Sequence, residues 1–166
     1  MNKTEQIFVV GSGRSGTTMM GRILGNHSEV FTFNEIHYLG WLSSVSKMHQ
    51  LISKQEAVIL LSEFFAIQED GIFLKKDPKN FYAKAEKCLK VKENLQEVEV
   101  YKLLLETITV ENNRHVACEQ TPKNIFYINE LLKAFPNAKF IHIVRDSRDV
   151  LLSQKNKWKR RFLGAS

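Results

Sequence analysis

The residues Gly11-Ser12-Gly13-Arg14-Ser15-Gly16-Thr17-Thr18 have the types and spacing of an anion cradle. Glycines such as Gly13 and Gly16 let a backbone wrap around an anion and turn several N–H groups inward. Thr17 and Thr18 add hydroxyl donors, and Arg14 adds a planar, permanently charged fork. The spacing matches a nucleotide-binding P-loop at every position but one, because Thr17 stands where an NTPase carries lysine. Without that lysine a terminal γ-phosphate is poorly served. A P-loop kinase or NTPase is therefore the second reading, with Asp146 the only near candidate for a Mg-binding aspartate. For the loop by itself, the plain alternative is a glycine-rich strand-to-helix turn with no ligand.

Such a loop works only between a strand and a helix, because the helix adds its positive end. Ile7-Phe8-Val9-Val10 is a β-branched, apolar run that predicts a buried strand, and a helix is expected from Thr17 to about Gly25. Met19, Met20, Ile23 and Leu24 form its apolar side. Val30–Phe33 predicts a second strand. Helices are expected over Ile36 to about Met48, Lys54–Gln68 and Leu95–Ile108. Another is expected from Asp77-Pro78, as N-cap and first position, to about Lys92. Asp70-Gly71 to Asp77-Pro78 is the best candidate loop. Strands return at His115–Cys118 and Lys139–Val144, around a helix from Pro122 to Phe135. Asp146 and Asp149 have the spacing of a capping pair that opens the last helix. Strand–loop–helix units thus begin and end the chain, with a helical insert over 36–112. The expected class is α/β, a P-loop NTPase-like three-layer fold with a parallel sheet, in a single domain over 1–166.

Composition narrows the function without choosing it. The 166 residues are 43% hydrophobic and 25% charged, as in ordinary globular proteins. No run of about 18 apolar residues occurs, so stable membrane insertion is not expected. The first residues lack the marks of a secretory signal, and the expected address is cytoplasmic. Cys88 and Cys118 are far apart, and His27, His37, His49, His115 and His142 show no ligand spacing, so no metal is expected. The net charge of +6 suits an anionic ligand. Its excess lies in Lys155–Arg161, which reads equally as a solvated helix face or, with Trp158, as part of a non-catalytic polyanion-binding module. The aromatic residues are not arranged as a stacking platform, so nucleic acid is not an expected partner.

Arg14-Ser15-Gly16-Thr17-Thr18 after an apolar strand resembles the 5′-phosphosulfate loop of the sulfotransferase superfamily. The likeness extends to tyrosylprotein and bacterial carbohydrate-type enzymes. These use 3′-phosphoadenosine-5′-phosphosulfate (PAPS) as sulfo donor. The family's second motif is an arginine at a strand end and a serine eight residues later. Arg145 and Ser153 stand at those positions. The strand end puts Arg145 at the carboxyl edge of the sheet, where open α/β folds bind ligands. Ser153 follows about two helical turns on, within reach of a phosphate beside the helix.

The resemblance also places a catalytic carboxylate at Glu35, 21 residues after Arg14. Such a group can take the proton that an attacking hydroxyl loses. Glu35 reads equally as the first-turn acid of the next helix. His37 is the reserve base. Many relatives carry lysine where Gln120 stands, which leaves Arg14 or Lys123 to neutralise the transferring group. The acceptor implied is a small molecule or carbohydrate, with protein tyrosine less favoured. The resemblance covers about residues 6–35 and 115–153. It implies a longer catalytic domain than this chain, which stops 13 residues after Ser153, and so a fragment, a truncated product or a compact variant.

Overall fold

The computed structural model describes residues 4–71, 76–89 and 95–162, with side chains up to Asn156. In chain order the elements are β1 (Glu5–Gly11), α1 (Thr17–Gly25), β2 (Val30–Thr32), β3 (Leu51–Ile52), α2 (Lys54–Asp70) and α3 (Tyr82–Leu89). There follow β4 (Leu95–Gln96), α4 (Glu97–Glu111), β5 (Val116–Glu119), α5 (Ile128–Ala134), β6 (Lys139–Ile143) and α6 (Ser147–Phe162). Short 3₁₀ segments, Pro78–Phe81 and Pro122–Tyr127, precede α3 and α5.

β1, β2, β5 and β6 form one parallel sheet in the order β2-β5-β1-β6. The continuous apolar run of β1 follows from its place inside this sheet, where both faces are covered. Phe8 and Val10 face a large core with residues of α2, α4 and α5, and the Phe8 ring packs on Phe135 and Phe140 at 5.5 and 5.2 Å. Val9 faces the other way, into a smaller cluster with Val30, Cys118 and the α1 residues Met20 and Leu24. Helices therefore flank both faces of a parallel sheet. The chain leaves β1 for β2 on one side of the sheet, while β6 adds on the other. Such a division opens a crevice at the carboxyl ends of the strands.

The insert has its own small antiparallel pair, β3 with β4. α2 opens with a capping box in which the Ser53 amide donates to Glu56 while Ser53 Oγ accepts from the Glu56 amide. Tyr38 stacks on Tyr101 at 4.5 Å inside the main core. Among the described residues no helix is long and apolar enough to cross a membrane.

Several expected elements need correction. Ile36–Met48 is not a helix but a chain of turns with a bridge between Leu39 and Ser43. Its apolar residues Ile36, Tyr38, Leu39 and Met48 are buried all the same. His37 and Gly40 adopt left-handed conformations, φ 52° and 91°, which no helix accommodates. α4 begins at Glu97 because Leu95-Gln96 pairs with β3 and Gln96 becomes the N-cap. The segments opened by Pro78 and Pro122 start as 3₁₀ turns and become α-helical at Tyr82 and Ile128. Asp146 does cap α6, but its carboxylate accepts from the amide and guanidinium of Arg148, while Asp149 faces Arg145 instead. The expected helix end near Lys92, the centre of the loop over 72–75 and the side chains of the basic tail from 157 lie outside the described residues.

Candidate active site

The loop after β1 is shaped by close backbone approach. A Cβ on Gly11 would stand 2.6 Å from the Ile143 carbonyl oxygen of β6 and 2.9 Å from Ser15 Oγ, so only glycine lets the two strand ends lie so near. Arg14 has φ 72°, a left-handed conformation unusual for a residue with a side chain. Gly16, φ 112°, is the N-cap of α1 and supplies no side-chain cap. The first amides of α1 thus have no capping side chain, which is the arrangement that binds anions at helix N-termini. Ser15 Oγ is buried without a partner among the described residues, and Thr17 is buried while Thr18 is exposed. Free amides, an orphaned hydroxyl and the arginine fork together fit a phosphate or sulfate group.

Residues distant in sequence converge on this loop. A cleft of about 780 Å³ is lined by the loop from Gly13 to Thr18 together with Glu35, Arg145 and Ser153. Arg14, Glu35, Arg145, Ser153 and the loop residues Gly13 to Thr18 therefore border one cavity, whereas the reserve base His37 does not line it. Arg14 Nε donates to Ser153 Oγ at 3.1 Å, and Arg145 Nη1 donates to the Arg14 carbonyl at 3.3 Å. These two contacts join the β1–α1 loop to the β6–α6 turn. Asp149 lies 3.8 Å from Arg145 Nε, a loose exposed pair that fixes little. Met19, Arg22 and Pro122 also line the cleft. Met19 is 65% exposed rather than packed on the apolar side of α1. Arg22 was not singled out in the sequence, although its position four residues after Thr18 puts it on the same helix face.

Glu35 sits opposite the start of α1. Its Oε1 is 3.5 Å from Thr18 Oγ1, at the limit of hydrogen bonding, and its Oε2 is 3.1 Å from His37 Nε2. The carboxylate belongs to an extended loop, not to the first turn of a helix. His37 is buried, and its ring stacks on the exposed Trp41 at 4.8 Å. Lys123 Nζ lies 6.0 Å from the centre of the Trp41 ring and does not line the cleft. Gln120 is buried against α1, where a Cβ on Gly21 would run into its Oε1. It too is absent from the cleft wall.

Beneath Glu35 lies Glu119, the last residue of β5 and only 1% exposed. Its carboxylate accepts from the Ile36 amide, the Thr121 amide and hydroxyl, and Asn124 Nδ2. Burial pushes this carboxyl up to about 6, while the hydrogen bonds from Thr121 and Ile36, and nearby His37, pull the other way. Among the described residues no group of three or more His, Cys, Asp or Glu could hold a metal ion.

Comparison with known proteins assigns the class. The sulfotransferase family matches residues 6–164, and the chain belongs to that family. The chain is also similar to a protein of Aquifex aeolicus (strain VF5) called an uncharacterized protein, with 32% identity over 147 residues. That match covers 89% of this chain but only 16% of the relative's length.

Proposed function

We propose that the cleft binds PAPS and that the chain transfers its sulfo group to a hydroxyl or amine of a small-molecule or carbohydrate acceptor. The observation that carries this reading is the convergence of Arg14, Glu35, Arg145 and Ser153 on one cavity, from elements up to 139 positions apart. The donor would supply a sulfo group on a phosphate leaving group. The Gly13–Thr18 backbone and the hydroxyls of Thr17 and Thr18 would hold the 5′ end of that nucleotide. Arg14, with its fork beside the loop, would offset charge that gathers there during transfer. Arg145 and Ser153 would hold the 3′-phosphate. Glu35 would take the proton that the acceptor loses as it attacks sulfur.

The test is a mass-spectrometric screen of small hydroxylated and amino acceptors incubated with the chain and PAPS. The expected result is one sulfo group added to an acceptor, and none when Arg145 is replaced by Ala. Transfer of phosphate from ATP, with none of sulfate from PAPS, would overturn the reading.

A further inference from the structure

Glu119 is buried, charged and used by none of the steps above. Replacing a buried ionic group with an apolar one is often neutral or stabilising, so stability alone is a weak reason for a carboxylate here. Its bonds point to a different task. Phe33 to His37 form no regular secondary structure, yet the amides around Glu35 are each held. The Phe33 amide donates to the Cys118 carbonyl at 2.8 Å, and the Asn34 amide to Gln68 Oε1 at 2.9 Å. The Ile36 amide donates to Glu119 Oε1 at 3.2 Å, and the His37 amide to Thr121 Oγ1 at 3.1 Å. Thr121 Oγ1 in turn donates to Glu119 Oε1, so one hydroxyl joins the two anchors.

His37 pays for this arrangement with a left-handed backbone, φ 52°. That backbone brings Nε2 within 3.1 Å of Glu35 Oε2. Each bond from Glu119 or Thr121 to the Glu35 loop spans more than 80 positions, and no hydrogen bond among the described residues links either one to residues 11–18.

We infer that Glu119 and Thr121 are positioning residues that fix the Glu35 carboxylate at the cleft without taking part in donor binding. The inference rests on Glu35 being the proton acceptor. Thr121→Val keeps the shape and removes the hydroxyl, which frees the His37 amide. It is expected to lower kcat by about 10²-fold, as an ångström-scale misplacement does. The KM for PAPS and the affinity for 3′,5′-adenosine bisphosphate should stay within about twofold. Thr121→Ser restores the hydroxyl and should restore kcat. Amide hydrogen exchange at Ile36 and His37, which needs no turnover, should speed up at least about tenfold in Thr121→Val, the mark of local opening.

Glu119→Gln is the second variant, since it puts an N–H against the donors of Thr121 or Asn124. It should show the same split between kcat and binding. Adding Thr121→Val to Glu35→Gln should cost nothing further. Unchanged exchange, or unchanged kcat in Thr121→Val while Glu35→Gln remains inactive, would overturn the positioning role and leave Glu35 as base. A parallel loss of bisphosphate affinity would also overturn it, as a general structural effect. Full turnover in Glu35→Gln would sink the base assignment instead.

Discussion

Arg14→Gly is expected to lower turnover by about 10²–10³-fold while the free energy of unfolding stays within about 1 kcal/mol of the parent. The two halves of this expectation have separate causes. The guanidinium lines the cleft beside Ser153, and its removal takes away a charged donor where charge develops. The backbone of Arg14 is left-handed, which costs a residue with a side chain about 1–2 kcal/mol. Glycine relieves that strain but adds chain entropy to the unfolded state, by about 0.5–1 kcal/mol. The exposed bond to Ser153 contributes little. Arg14→Lys should fall between, since it keeps the charge and loses the fork. Steady-state kinetics and urea unfolding on the same preparations check both halves. Retained turnover in Arg14→Gly would remove Arg14 from the reaction.

Glu35→Gln has the other large expected effect, a fall in kcat of about 10²–10⁴-fold, the range for loss of a general base. The amide keeps the shape of the side chain and can still bond with Thr18 and His37, so the loop should hold its course. Affinity for 3′,5′-adenosine bisphosphate should therefore remain within about threefold, which separates loss of proton transfer from loss of the donor site. If turnover persists with a new dependence on His37, the imidazole 3.1 Å away is the acceptor of the proton.

The parts of this site that could be read from sequence are those written in local patterns. A β-branched run, three glycines and a helix with hydroxyls at its start describe the Gly11–Thr18 turn within a short stretch, and its structure follows that order. Arg145 and Ser153 are likewise set by one strand end and the helix after it. The segment after Glu35 does not form the expected helix, although Ile36, Tyr38, Leu39 and Met48 are buried. Its first two amides, those of Ile36 and His37, are instead satisfied by Glu119 and Thr121, partners more than 80 positions away that no local window contains. Glu119 escaped notice for the same reason, since a lone acid at a strand end shows its partners only once the chain has folded. Arg22 was within reach of sequence reasoning, as it repeats the face of Thr18 one turn later. Gln120, which stands where many relatives carry lysine, packs against Gly21 and does not line the cleft.

The most direct measurement is calorimetric titration of the 166-residue chain with 3′,5′-adenosine bisphosphate and, separately, with ATP and Mg²⁺. A phosphosulfate site with a 3′-phosphate clamp binds the bisphosphate more tightly than ATP–Mg. Arg145→Ala, which removes a charged hydrogen-bond donor, should then weaken the bisphosphate by about tenfold or more. Equal or tighter binding of ATP–Mg, or bisphosphate binding undiminished by Arg145→Ala, would contradict the assignment of this cleft.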